Sequence, residues 1–335
     1  MSIRRNKTIM VILLLASFCI LSAADVKLAQ TGFQFLSVAT DARAAAMGEA
    51  MTTIQGNPSA LFFNPAGLSR VSSFIDINLS QNQWIADINY NSFSGAFTPA
   101  SGRYGVFGIS LISVDYGEIQ GTMVSNNERG YVDTEIFNPT ALSIGFGYAR
   151  ALSEQFSVGG QIKRAYQYLG KSVVPENDSL DVVVKNYANA LAFDFGTIYV
   201  TQWKGFAFGM SVRNFSEEIK YYSEGFQLPL NFKIGMSIDL LNFLKNKPAR
   251  QSLLMSLDVS HPRSNPEQIN LGFEYSLAEI LALRGGYLHN YDQRGITAGF
   301  GIKKELSGTL VGIDYAYTPF GVFDNVQRLS FRLTF

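Results

Sequence analysis

Metal and nucleophile chemistry has few residues to draw on here, because the chain holds two histidines and one cysteine. A zinc site needs several His, Cys or carboxylate ligands converging on one point. His261 and His289 fall at the ends of separate expected strands, with no further ligands near them in sequence. His289 and Asp292 in YLHNYDQRG have the composition of an acid–base pair for a surface hydrolase, but a solvated loop has the same composition. Neither a phosphate-cradling Gly loop nor a nucleophile elbow occurs. The expectation is a protein that is not an enzyme, with no cofactor, no metal site and no catalytic residues.

The charged residues are more informative. Lys163, Arg213, Lys233, Arg284, Lys303, Arg328 and Arg332 stand against Asp194, Asp239, Asp258, Glu274 and Asp314, all on the polar faces of alternating segments. Such a set either lines an ion-selective passage or pairs internally to fill a narrow interior. Arg43 is an expected partner for this wall from the amino-terminal segment. Between the segments, Tyr131, Phe137, Tyr187, Tyr221, Tyr222 and Phe226 offer aromatic surface for recognising a partner, or for anchoring at lipid headgroups.

The elements that position these groups are strands. In LNFKIGMSIDL, Leu230, Phe232, Ile234, Met236, Ile238 and Leu240 share one face, opposite Asn231, Lys233, Gly235, Ser237 and Asp239. QINLGFEYS divides in the same way, with Ile269, Leu271, Phe273 and Tyr275 on the apolar side. Segments of this kind recur near 73–80, 88–97, 103–114, 140–150, 156–168, 189–200 and 205–214, and again near 230–240, 252–261, 267–276, 280–288, 295–303, 309–317 and 327–335. That makes about fourteen, an even number, as in single-chain bacterial barrels. The connections near 115–139, 169–188 and 215–229 read as long outward loops, whereas TPASG, ALSEQ and TQWK read as tight turns. The chain then begins and ends on the periplasmic side. Charged residues make up 16% of the chain, against about 25% in soluble domains, and net charge is zero, so no nucleic-acid partner is expected. No segment after the amino-terminal leader is long and apolar enough for a helical span, and a closed barrel is the other way to satisfy a backbone in hydrocarbon. The expected fold class is therefore all-β, a transmembrane antiparallel β-barrel in the bacterial outer membrane. Its surroundings would be outer-membrane lipid and lipopolysaccharide.

Residues 1–24 read as a cleaved secretory signal peptide. Arg4, Arg5 and Lys7 precede an apolar run, which ends at the small residues Ser22 and Ala24. Cys19 leaves with the signal, since bulky Phe18 argues against its acylation. Residues 25–72 break the strand rhythm. DARAAAMGEAM is rich in helix formers, with Thr40 or Asp41 as cap, and ALFFNPAGL is punctuated by Pro65 and Gly67. This stretch is expected as a compact plug inside or beneath a barrel formed by residues 73–335. The last strand, QRLSFRLTF, places Leu329, Phe331, Leu333 and Phe335 on its lipid face, in the form of the terminal signal read by barrel-assembly machinery.

Residues Gly32 to Val71 resemble the amino-terminal signature of the PorV/PorQ family of outer-membrane proteins, through Phe35, Leu36, Asp41, Arg43, Met47, Gly48, Asn64, Pro65, Ala66 and Gly67. The ending from Ile313 resembles that family as well, while the middle matches only in strand rhythm. The NPAG element is shared with the wider family of FadL-like long-chain fatty-acid transporters. The resemblance implies a FadL-like barrel of fourteen strands partly plugged by the preceding segment. It also implies one of two roles. The first is a type IX-like secretion component that binds cargo proteins or translocon subunits. The second is a FadL-like transporter taking a hydrophobic small-molecule ligand, such as a long-chain fatty acid. The transporter calls for a dry apolar space above the plug; the expectation of a polar, charged lumen favours secretion, and a plug disfavours an open porin.

Overall fold

The computed structural model describes residues 31–177, 180–221 and 225–335. The signal segment, Cys19 and Tyr222 lie outside them. Eighteen strands follow in order: β1 (Ile75–Gln83), β2 (Asn89–Phe97), β3 (Val106–Asp115), β4 (Ile119–Val124), β5 (Tyr131–Phe137), β6 (Thr140–Ala151), β7 (Phe156–Asn177), β8 (Leu180–Val200) and β9 (Ala207–Ser216). The second half holds β10 (Ile219–Lys220), β11 (Gly225–Phe226), β12 (Asn231–Asp239), β13 (Gln251–Pro262), β14 (Gln268–Leu277), β15 (Leu281–His289), β16 (Ile296–Leu306), β17 (Thr309–Thr318) and β18 (Val326–Thr334). Fourteen of them close one antiparallel barrel, while β4–β5 and β10–β11 form separate two-stranded ribbons.

Closure comes from the first and last strands. β18 pairs with β1 from Asp76 opposite Thr334 to Gln83 opposite Gln327. Phe335 extends the seam, donating its N–H to the Ile75 carbonyl and accepting from Phe74. The last strand is therefore no free edge, the arrangement that would invite aggregation. Leu329 and Phe331 are exposed on the outer face, at 51% and 37%, while Arg328 and Ser330, which alternate with them, are buried inside. The same alternation leaves Phe146, Leu191, Phe195, Leu283, Phe300 and Ile313 facing outward. A belt of this kind is stable only where hydrocarbon covers it.

Turns at the rim where β1 begins and β18 ends are short, apart from 240–250. Between β16 and β17 the connection is Ser307 and Gly308 alone, both at positive φ, the geometry that matches strand twist in a two-residue hairpin. At the other rim the structure revises two expected loops. The stretch 169–188 is largely strand, since β7 and β8 run on as a ribbon to Asn177 and Leu180. The stretch 115–139 carries the β4–β5 hairpin. A period of two is hard to see in either, because 115–139 is mostly polar and the valines at 173, 174 and 182–184 come in continuous runs. The connection 240–250, between β12 and β13, is longer than its neighbours and carries a 3-10 turn capped by Asp239.

Residues from Thr31 to Ser73 fill the lumen. They form a 3-10 turn (Gln34–Ser37), an α-helix of five residues (Ala42–Ala46) and two further 3-10 helices (Pro58–Phe62 and Pro65–Arg70).

Candidate functional site

The plug is fastened to the wall around its circumference. The helix Ala42–Ala46 starts at Asp41, whose carboxylate accepts from the Ala44 N–H at 2.8 Å and from the Asn78 side chain of β1 at 3.1 Å. Small side chains let this helix lie against β16 and β17, where a Cβ on Gly299 would come within 2.6 Å of the Ala46 methyl. Gly286 serves the same end, since a Cβ there would lie 2.2 Å from the Gly48 nitrogen. Gly48 itself sits at φ +59, which glycine adopts without strain. Met47 packs into the apolar core with Phe35 and Leu36.

Arg43 donates to both oxygens of Glu274 on β14, at 2.8 and 2.7 Å. Glu274 also accepts from Arg284, which reaches Asp314 at 2.6 Å. Charges that are this buried survive only when paired and hydrogen-bonded, so the lower lumen is a closed network. Nearby, Arg332 of β18 is held by Asp76 of β1. On the next sector, one oxygen of Asp258 accepts from the Met51 and Thr52 N–H groups and the Thr52 hydroxyl, at 2.9, 3.0 and 2.7 Å.

Asn64 caps the helix Pro65–Arg70 by accepting from Ala66 N–H, and it donates to the Thr52 and Thr197 carbonyls at 2.6 and 3.2 Å. Pro65 opens this helix at the position where its missing N–H costs nothing. It passes so close to β7 that a Cβ on Gly159 would meet its carbonyl carbon at 2.5 Å. Ala66 is buried, and a Cβ on Gly67 would strike the Ile54 carbonyl at 2.4 Å. The ten motif residues thus seat the plug at separate points and do not converge on one ligand position.

Above the plug the lumen has two unlike sides. On one, Ile112, Val114, Ala141, Ala165, Ala188, Ala190 and Ala192 turn inward from β3, β6, β7 and β8, with Tyr90 of β2 beside them. The space left by these alanines is taken by Phe33, Phe35, Leu36, Phe62 and Phe63 of the plug and by Leu228. Tyr221 and Phe226 stack on one another at 5.0 Å and on Phe33 at 6.3 and 6.1 Å. These two aromatics, expected at the outward surface, are thus tucked into the lumen, whereas Tyr131 and Tyr187 do face outward. The uniformly polar lumen expected from strand faces is corrected here. Alternate alanines in ANALAF carry little hydrophobic signal of their own, yet opposite large outward residues they build an apolar wall.

The other side is charged. Glu49 pairs with Arg294 at 2.8 Å, and Arg294 is enclosed by the rings of Tyr291, Phe320 and Trp84. Burial by itself would raise the Glu49 carboxyl, but Arg294, Lys233 and Arg328 outweigh it and hold it below its ordinary value. Of the charges assigned to the lumen, Lys163 is paired with Asp194 at 2.6 Å. Lys303 is partly buried near the lower network. Asp239 departs from the set, because it sits at the rim and binds Lys247. His261 lies beside Glu267 and is exposed, and among the described residues no group of three metal-ligating side chains forms.

No protein-family model and no curated protein matches the chain. Solved structures do resemble it. The toluene transporter TbuX of Ralstonia pickettii superposes with a TM-score of 0.59 at 12% identity, over 88% of this chain and 98% of that one. The toluene transporter TodX of Pseudomonas putida gives 0.59 at 11%, over 92% and 98%. A FadL homologue of Pseudomonas aeruginosa gives 0.53 at 11%, over 88% and 98%. At such identities the likeness is one of architecture, and it settles the fold: a closed β-barrel of fourteen antiparallel strands, FadL-like in its architecture.

Proposed function

We propose that the protein passes small hydrophobic molecules across the outer membrane, entering the apolar chamber above the plug when the chain's own aromatics withdraw. The observation that carries this reading is the chamber itself, walled by alanines and filled by Phe33, Phe35 and Leu36 from a segment held by few hydrogen bonds. A space shaped by small wall residues and occupied by side chains on a strap is one that a ligand of similar shape takes over by competition. The fold shared with two proteins named as toluene transporters agrees with it. Export by the signal peptide of residues 1–24, with 25–72 as plug and 73–335 as barrel, belongs to the same proposal, as does recognition of the Leu329, Phe331, Leu333 and Phe335 face by assembly machinery. Uptake of toluene and of a long-chain fatty acid by cells expressing the chain in place of their own FadL-like channels tests it. No uptake above empty cells refutes it.

A second reading, the secretion role implied by the PorV/PorQ resemblance, is favoured by the β4–β5 hairpin. Val124 and Ile136 there are 88% and 60% exposed, apolar surface of the kind a protein partner covers. Recovery of cargo or translocon subunits with the affinity-purified barrel is the result this reading requires.

A further inference from the structure

On the charged side of the upper lumen lies a cavity of about 80 Å³, lined in part by Glu49, Arg213, Asn231, Lys233, Tyr291 and Arg294. By the usual allowance it has room for several waters. Around it, Lys163 is matched by Asp194 and Arg294 by Glu49 in direct ion pairs. Arg213, Lys233 and Arg328 have no carboxylate within ion-pair distance among the described residues; Glu49, already paired with Arg294, acts on all three from further off, with Asp194 acting also on Arg213 and Asp258 on Lys233. At the seat of the plug helix, by contrast, Glu274 and Asp314 neutralise Arg43 and Arg284.

Two of the three unmatched cations line the cavity. Asn231 pairs directly with Arg213 on β9, and Lys233 with Ser211, so Arg213 and Lys233 are diagonal neighbours on the inner face. Strand geometry puts such positions roughly 7–8 Å apart, near enough to repel and near enough to share one ligand. The Arg213 guanidinium donates to the Leu36 carbonyl at 3.2 Å, yet its Nε is buried without a partner. Lys233 is 4% exposed, and its ammonium makes no hydrogen bond among the described residues. Asp258 stands opposite Gly235, diagonal to Lys233 on the other side; its Oδ2 is spent on the Met51 and Thr52 groups, and its Oδ1, buried without a hydrogen bond, makes no ion pair with Lys233. Two buried cations side by side, without counter-charge in contact, are costly unless an anion joins them.

We propose that this cavity binds a small oxyanion, a carboxylate or a phosphate, held between Arg213 and Lys233 with Asn231 beside it. The cavity borders the alanine-walled chamber, sharing Leu36, Phe62, Phe63 and Ile112 with it, but the anion site does not depend on that chamber being a passage. Titration calorimetry on the purified full-length barrel tests it, with sodium phosphate and sodium benzoate as probes at constant ionic strength in chloride. Saturable binding of at least one probe is expected, and which of the two binds tells an inorganic from an organic source. Lys233→Met and Arg213→Met each weaken it at least ten-fold, while Lys171→Met on the outer ribbon leaves it unchanged. Heat-modifiable gel mobility confirms that each variant is folded. Glu49→Gln keeps both cations and removes the nearest repelling carboxylate, so it tightens binding even if the wall variants fail to fold. Absence of binding for both anions, competition by benzyl alcohol equal to that by benzoate, or weaker binding in Glu49→Gln overturns the proposal.

Discussion

Replacing Glu274 with Gln removes the one carboxylate that Arg43 of the plug and Arg284 of the wall share. Arg284 keeps Asp314, but Arg43 is left with no anion in contact. Stranding a buried charge in this way costs roughly 3–5 kcal/mol. Arg43→Met is milder, because Glu274 retains Arg284; the two lost charge-assisted bonds, at 2.8 and 2.7 Å, are then worth about 2–3 kcal/mol together. Combining the two changes leaves no stranded guanidinium, so the double variant falls short of the sum by about 1–3 kcal/mol. The loss falls on plug docking, since the strand ladders of the wall do not pass through these side chains. Hydrogen exchange at the Ala45 and Met47 amides, which close the plug helix on Asp41 and Arg43, therefore reads it directly. At 1.4 kcal/mol per tenfold, Glu274→Gln speeds their exchange roughly 100- to 4,000-fold while amides of β16 and β17 hold. Equal effects of the two single variants, or strict additivity in the double, would refute the shared-carboxylate account.

Gly286→Ala sets a methyl 2.2 Å from the Gly48 nitrogen, so the barrel should assemble but with its plug unseated, seen as faster exchange at the plug helix and greater sensitivity of cells to large antibiotics. The Glu49 carboxyl is held below its ordinary value of 4.5, so its pairing with Arg294 is at full strength above that pH and is lost as pH falls through the lower folded value. Trp84 fluorescence, reporting the ring cage around Arg294, should show an acid transition in the wild type that Glu49→Gln lacks. Deleting Phe335 takes away the seam contacts to Phe74 and Ile75, and outer-membrane levels should drop several-fold by immunoblot while refolding in detergent proceeds.

Most of the barrel was legible because a period of two, outward apolar and inward polar, is imposed by lipid on every strand. The segment around Lys233 shows it, with Phe232, Ile234 and Met236 outside and Lys233, Gly235 and Ser237 within. The plug was legible as a break in that rhythm, and Arg43 as a charge with no surface to sit on. What escaped was set by tertiary placement. Ala188, Ala190 and Ala192 carry little hydrophobic signal, and only the neighbouring inward faces of β3, β6 and β7 make them a chamber wall. Tyr221 and Phe226 sit in a polar connection and read as surface, yet the strap bridging Thr31 to Gln227 draws them onto Phe33. The excess positive charge of the upper cavity was hidden in a lumen whose charges look balanced when summed over the chain.

The central claim is that the alanine-walled chamber is a hydrophobic binding space occupied in the resting protein by its own strap. Binding of toluene to the purified barrel, followed by saturation-transfer NMR, tests it in wild type and in Phe33→Ala/Phe35→Ala. Emptying the chamber removes the internal competitor, so the double variant should bind at least ten-fold more tightly than wild type. Equal affinity in the two proteins, or binding in neither, would contradict the account.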